Sequence, residues 1–173
     1  MPTKQTFTAG QVLTAAQLNT LQDYVGVVQV KSTTLTSTFS TTSTSFTDLT
    51  GLSVSITPTS ASNKVLALVS INCGSDNIAI CFRLMRDSTA IAVGDAAGVR
   101  TQSTTANTFI GNVDISPINM NFLDSPATTS ATTYKVQLLT NASTAYINRT
   151  TLDNDATTRP RMVSTITVME VTP

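Results

Sequence analysis

The residue types needed for common catalytic chemistry are scarce in this sequence. There is no histidine among the 173 residues. Ser-His-Asp and Cys-His sites are therefore excluded, because both use an imidazole as general base. Paired carboxylates are not excluded, but the aspartates are scattered and Glu170 is the sole glutamate. No serine stands three positions before a lysine, as it does in Ser-Lys nucleophiles. The sequence predicts a protein that is not an enzyme.

Motifs for metals and cofactors are incomplete. Asp153-Asn154-Asp155 resembles the start of a calcium loop, but no glycine at the sixth position and no acidic residue at the twelfth follow it. The glycines of residues 94–98 do not have dinucleotide-binding spacing. Both stretches are interpreted as polar turns, and no cofactor is expected. Cys73 and Cys81 are expected to be reduced, mostly buried thiols, because pairing them across a hairpin would place Ile71 opposite Arg83.

Arginines are the best candidates for polar recognition. A sugar site would use aromatic platforms, and the chain has no tryptophan and only three tyrosines. Two stretches, residues 101–108 and 148–160, are candidate outer tips. The candidates for outward recognition or for subunit contact are Arg100, Arg149, Arg159 and Arg161.

The composition excludes further classes of function. Charged residues make up 12% of the chain, about half the usual share, and the formal net charge is zero. Nucleic-acid binding is not expected, because it depends on neutralising phosphates with Lys and Arg. No apolar run approaches the roughly 18 to 20 residues that span a bilayer, so membrane insertion is not expected. Instead, 34 threonines and 18 serines supply about 30% of the residues, and threonine favours pleated, half-buried strands.

The first 28 residues differ from the rest. Thr14 and Gln17 fit a capping box, which predicts a short helix over residues 15–23 between Gly10 and Gly26. Such a helix is too short to be stable alone and needs a partner surface. We interpret residues 1–28 as an anchoring arm; the alternative is that the helix folds back on its own domain. The amino end lacks the hydrophobic core of a signal peptide, so synthesis in the cytoplasm is expected.

From Val27 onward the apolar residues alternate with a period of two, and turn residues separate short segments. Roughly eight to ten strands with this spacing predict an all-β sandwich or barrel over residues 29–173. A jelly roll is preferred, and a sandwich of another topology is the alternative. The predicted strands lie near residues 28–30, 52–56, 65–71, 80–84, 91–93, 109–115, 120–123, 134–138, 145–147 and 162–171. A turn over residues 86–89 is predicted between the fourth and the fifth of these strands.

The edges of such a sheet need protection. Exposed edge strands usually carry lysine, and this chain has only four lysines. Homo-oligomerisation with cyclic symmetry is the simplest cover. The alternative is that bulges and short edge strands suffice.

Four stretches of the chain carry a resemblance: residues 6–19 (TFTAGQVLTAAQLN), a hairpin over residues 82–95, residues 131–136 (ATTYKV) and residues 164–171 (STITVMEV). They resemble small bacteriophage fibre-like proteins. This resemblance implies a structural component of the virion, a homotrimer with an amino-terminal anchor and an outward-facing β domain. Tail fibres, head fibres and capsid decoration proteins share such modules.

The expected partners follow from the resemblance and from the arm. The arm would dock on a capsid or tail protein of the virion through apolar side chains, namely Phe7, Val12, Leu13, Leu18 and Leu21. A decoration protein or stubby fibre suits so short a subunit. The alternative is a receptor-binding tail fibre that recognises host surface polysaccharide. A polysaccharide-degrading spike is disfavoured by the missing histidine and tryptophan.

Overall fold

The computed structural model describes residues 8–17, 26–75, 79–108 and 115–173. In these ranges the fold is all-β apart from a helical turn at residues 15–17, with strands paired antiparallel in two sheets. This confirms the predicted two-sheet, jelly-roll-like sandwich. The strands are β1 (Val27–Leu35), β2 (Phe39–Thr41), β3 (Thr47–Ile56), β4 (Lys64–Ser75), β5 (Ala79–Arg86), β6 (Thr89–Ile91), β7 (Thr105–Thr108), β8 (Ile115–Asp124), β9 (Thr132–Thr140), β10 (Ala145–Ile147) and β11 (Ser164–Val171).

The longest strand, β4, organises the larger sheet. Along one side it pairs first with β11 and then with β10, and along the other side it pairs with β8. β1 extends the sheet beyond β11, and β2 extends it beyond β10. In the smaller sheet, β5 lies between β9 on one side and β6 and β7 on the other, and β3 pairs with β9. Consecutive strands β4 and β5 therefore lie in different sheets.

Side-chain alternation explains how the sheets pack. In β9 and β11 buried and partly exposed residues alternate at every position, as expected for strands with one face on a core. The inward side chains of both sheets form one hydrophobic core, in which Phe82 and Tyr134 are the largest fully buried residues. Among the described residues, the first member of this core along the chain is Leu35.

A turn and a register shift within a strand shape the smaller sheet. Asp87 has a positive φ of 51° in the β5–β6 turn, which was predicted at residues 86–89. Its amide donates to the Thr133 carbonyl at 2.7 Å, and its Oδ1 accepts from the Thr133 amide at 2.8 Å. Gly51 interrupts β3 at a register shift with φ of 88°, and a Cβ there would lie 2.9 Å from Leu35 Cδ1. A side chain at Gly51 would be strained both by φ and by space.

Some strand boundaries differ from the predictions. β6 ends at Ile91 rather than residue 93, because Ala92 has a φ of 53° and leaves the extended conformation. β11 begins at Ser164 rather than residue 162, because the Met162 amide bonds the Asn148 carbonyl instead of a neighbouring strand. β2 was not predicted. Most of the predicted strand at 109–115 lies outside the described residues.

Within the described ranges, no helix has the length and apolar character needed to cross a bilayer.

Candidate functional site

The described part of the arm contains the predicted helix start. The Gln17 amide donates to Thr14 Oγ1 at 3.3 Å, and the Thr14 amide donates to Gln17 Oε1 at 2.9 Å. This reciprocal pair confirms the capping box, and residues 15–17 are helical. Just before it, Val12 is 86% exposed and Leu13 is 40% exposed. The other predicted anchoring residues, Phe7, Leu18 and Leu21, lie outside the described residues.

The β10–β11 connection, residues 148–163, brings two of the four singled-out arginines together. Arg149 Nη1 lies 3.0 Å from Asp153 Oδ2, and Arg161 Nη1 lies 2.7 Å from Asp153 Oδ1. Both oxygens of the Asp153 carboxylate are thus paired with guanidinium groups. Asp153, the first residue of the stretch that resembles a calcium loop, is therefore part of an internal ion-pair network.

Arg149 is held on every side. Its guanidinium stacks on the Tyr146 ring at 4.4 Å, Nε donates to the Thr150 carbonyl at 3.1 Å, and Nη2 donates to the Thr151 carbonyl at 3.1 Å. Arg161 is different, because its side chain is 56% exposed. Arg149 therefore shapes the loop, whereas Arg161 presents a guanidinium to the outside.

The remaining two arginines do not take part in the Asp153 ion pairs. Arg159 lies in the same loop, where its Nε donates to Asn154 Oδ1 at a long 3.4 Å. Arg100 is exposed in the β6–β7 connection. That connection was predicted as an outer tip over residues 101–108, but β7 takes up its last four residues and pairs with β5. The prediction of a loop throughout was therefore wrong.

Asn148 anchors the base of the 148–163 loop. Its side chain is buried, with Nδ2 donating to the Leu35 carbonyl at 2.8 Å and to the Ser37 carbonyl at 3.0 Å. Oδ1 accepts from Ser164 Oγ at 2.7 Å. With a φ of 62°, Asn148 turns the chain out of β10 while tying it to the β1–β2 connection. An asparagine suits this position because it tolerates positive φ and both donates and accepts.

Three rows of side chains on the outward side of the larger sheet, next to a row that holds Val171 and Lys64, form what we call the outer face. The strand register aligns them across β1, β11, β4 and β8. The first row is apolar, the second holds Leu68 among polar groups, and the third is polar. The rows are Val30, Met169, Leu66 and Leu123; Ser32, Thr167, Leu68 and Asn121; and Thr34, Thr165, Ser70 and Asn119.

The apolar row is accessible at both ends. Val30 is 50% exposed on β1 and Leu123 is 46% exposed on β8, while Leu66 and Met169 between them are partly buried. A shallow depression of about 340 Å³ lies over the other two rows. Sequence reasoning missed this face, because strand order decides which outward residues become neighbours. The signal available was only that, apart from Lys64, the outward positions of these strands lack charge.

The buried carboxylates serve other side chains and not an open cleft. Glu170 Oε1 accepts from the Thr59 amide, Thr59 Oγ1 and Asn63 Nδ2 at 2.7, 2.7 and 2.6 Å, and Oε2 accepts from Gln29 Nε2 at 2.6 Å. Burial alone would raise the pKa of Glu170, but these hydrogen bonds outweigh it and lower the pKa to about 2. The carboxylate ties β11 to β1 and to the β3–β4 connection.

Asp124 connects the two sheets. It lies at the end of β8 and accepts from the Tyr134 hydroxyl at 2.7 Å and from Arg86 Nη1 at 2.9 Å. Burial and the hydrogen bond to Asp124 raise the pKa of Tyr134. Within the described ranges, no three acidic or cysteine side chains cluster as metal ligands would.

The two cysteines are free thiols in different sheets. Cys73 is buried on the inner side of β4, and Cys81 is half-buried on β5. This agrees with the expectation of unpaired thiols, but the reason differs, since β4 and β5 form no hairpin. Burial raises the pKa of Cys73 to about 12. Burial also raises the pKa of Cys81, although a hydrogen bond with Ser103 acts in the opposite direction.

Comparison with known proteins shows little similarity. No family model matches the chain, and no curated protein matches it. Among solved structures, a chain of infectious bursal disease virus, Gx strain, is similar with a TM-score of 0.40 and 13% sequence identity, covering 85% of this chain. The chain spans 43% of the length of that viral chain.

Proposed function

We propose that this protein is a non-enzymatic structural component of a phage virion, a small trimeric decoration or fibre protein. Its amino-terminal arm anchors it to a capsid or tail protein, and its β-sandwich is displayed outward. The observation that carries the proposal is the pair of exposed apolar side chains, Val12 and Leu13, beside a helix start closed by its own capping box.

The arm is suited to docking because its polar and apolar groups are separated. The capping box satisfies two backbone donors at the helix start, the amides of Thr14 and Gln17. The exposed apolar groups gain free energy only when a partner removes them from water. Among the described residues the core of the sandwich begins at Leu35, and none of residues 8–17 belongs to it, which supports a β domain that folds without this part of the arm.

The test is attachment to particles that lack this protein. We expect the double variant Val12→Asp with Leu13→Asp to lose co-sedimentation with particles, because docking would bury two unpaired carboxylates. Deletion of residues 1–25 should have the same effect and leaves β1 whole. Val99→Asp is the matched control, since Val99 is a fully exposed valine in the β6–β7 connection.

Circular dichroism should show the β domain folded in every variant. Attachment of the arm variants at wild-type levels would overturn the anchoring role. Cryo-electron microscopy of particles then distinguishes a location on the capsid from one on the tail. Averaged density on the capsid indicates a decoration protein or head fibre, whereas density on the tail indicates a tail fibre.

A receptor-binding tail fibre that recognises host polysaccharide is the second candidate. The exposed Arg161 guanidinium on the internally braced 148–163 loop favours it, because arginine binds anionic groups through a planar set of donors. The expected result is that Arg161→Ala weakens binding to host cells, whereas Arg100→Ala, in another connection, does not. Equal binding by both variants and wild type would exclude a role for this loop.

A further inference from the structure

We propose that copies of this chain pack against one another through the outer face of the larger sheet. This inference rests on the proposed function, in which the protein is a homomeric assembly subunit, and names the surface that the subunits share. Its centre is the apolar row formed by Val30, Met169, Leu66 and Leu123, which crosses four strands.

The row is continuous and partly open to solvent. Adjacent residues in it are register partners on paired strands, so their side chains are direct neighbours across the sheet. Leu68 lies in the next row and is also exposed, which widens the apolar area between β4 and β8. Contiguous exposed apolar patches of this kind mark interaction surfaces more often than scattered apolar residues do.

The polar groups of the outer face favour a second copy as the occupant. None of its twelve residues is charged, and Lys64 follows only in the next row beyond Leu66, so the twelve residues themselves bring no like charges together. The flanking side chains are hydroxyls and amides, such as Thr167 and Asn121, and each of these can both donate and accept. A surface made of such groups is complementary to itself, whereas a surface of carboxylates or ammonium groups is not. Depletion of charge at the centre is also typical of homomeric interfaces.

The β8 edge of the larger sheet, which lies next to the apolar row, also lacks protection against pairing with another chain. β8 is ten residues long and, among the described strands, pairs only with β4. Its one charged residue, Asp124, is buried against Arg86 and does not protect the edge. Pro117 removes one backbone donor near the start of the strand, which leaves most of the edge able to pair. A homomeric contact at Leu123 would bring a copy over this edge.

Other classes of partner fit the outer face less well. A polysaccharide site would use aromatic side chains, and a nucleic-acid site would use Lys or Arg; the twelve residues include neither. Neutral hydroxyls and amides beside an apolar row match what a copy of the same face offers.

The test is the oligomeric state of the full-length protein, measured by sedimentation velocity and light scattering over a wide range of micromolar concentrations. We expect the wild type to be oligomeric, and we expect Leu123→Asp and Val30→Asp each to weaken self-association by at least about 100-fold, because each buries an unpaired carboxylate. Leu152→Asp is the matched control, since Leu152 is 50% exposed, as Val30 is, but lies in the 148–163 loop. It should assemble like the wild type.

The proposal fails if the wild type is monomeric at every concentration, or if both outer-face variants assemble normally. A monomeric wild type whose attachment to particles is lost in Leu123→Asp would also overturn it, and would identify a virion protein as the occupant instead. The variants of the arm test anchoring to particles independently of self-association through the outer face. If they still attach to particles, anchoring by the arm is wrong, while the oligomeric state of the outer-face variants still decides this inference.

Discussion

At the scale of single residues, Glu170 shows how a protein with few charged residues uses its sole glutamate. Four neutral donors from Gln29, Thr59 and Asn63 surround the carboxylate, and no guanidinium or ammonium group pairs with it in the described contacts. A buried carboxylate is stable only when its oxygens are fully hydrogen-bonded. Glu170 therefore holds three separate segments of the chain in place.

We expect Glu170→Gln to lower the free energy of unfolding by about 2–3 kcal/mol at neutral pH, because the amide NH₂ would face a donor that the carboxylate now accepts from. Urea denaturation measures this value. Asp95→Asn, in the exposed β6–β7 connection, is the control and should leave it unchanged.

Comparing the wild type with Glu170→Gln also gives a prediction for how stability depends on pH. The folded-state pKa of Glu170 lies at about 2, below its ordinary value of 4.5, so the folded state favours the ionised form. The contribution of ionised Glu170 to the free energy of unfolding is complete above pH 4.5 and is lost as the pH falls toward 2. The difference in stability between the wild type and Glu170→Gln should therefore shrink across this window. A constant difference would contradict the proposed role of the charge.

At the scale of elements, the 148–163 loop is ordered by contacts within itself. Asp153 joins Arg149 to Arg161 across the loop, and the Met162 amide closes its base on the Asn148 carbonyl at 3.1 Å. The ion pairs are partly exposed, so each contributes little to global stability. Their effect should be local, on how often the loop opens.

We expect Asp153→Asn to raise the hydrogen-exchange rate of the Met162 amide by about fivefold, the effect of two weak ion pairs worth about 1 kcal/mol together. The global free energy of unfolding should change by less than about 1 kcal/mol. Asp155→Asn, an exposed position in the same loop, is the matched control. Unchanged exchange in Asp153→Asn would show that the Asn148 contacts alone order the loop.

At the scale of the whole molecule, two sheets share one core, and Cys73 reports on its opening. The thiol is fully buried, and burial raises its pKa to about 12. A thiol reagent can reach it only when the sandwich opens, and the thiolate that would react is suppressed in the folded state.

In Cys81→Ser, which leaves Cys73 as the one thiol, labelling should therefore be limited by unfolding. Adding Phe82→Ala should accelerate labelling by at least about a hundredfold, because loss of a buried phenylalanine costs about 3–5 kcal/mol. Cys73→Ala, which keeps the half-buried Cys81, is the control and should be labelled faster in the native state. Rapid labelling of native Cys73 would show that the two sheets do not open as a unit.

Local patterns along the chain are enough to predict the fold class. Alternation with a period of two predicted the strands that pack on the core, because one face of a strand is buried whatever its neighbours are. The capping box at Thr14 and Gln17 and the turn at Asp87 were also predicted, since both depend on residues close in sequence. The absence of histidine excludes imidazole-based catalysis on composition alone.

Contacts between distant residues depend on the tertiary structure. Gln29 and Glu170 are 141 positions apart, and the outer face joins residues from four strands whose order the pattern of alternation does not specify. The same holds for Cys73 and Cys81, which are close in sequence but lie in different sheets. Alternation reports which side of a strand is buried, whereas neighbours across a sheet depend on strand order and register, which long-range pairing sets.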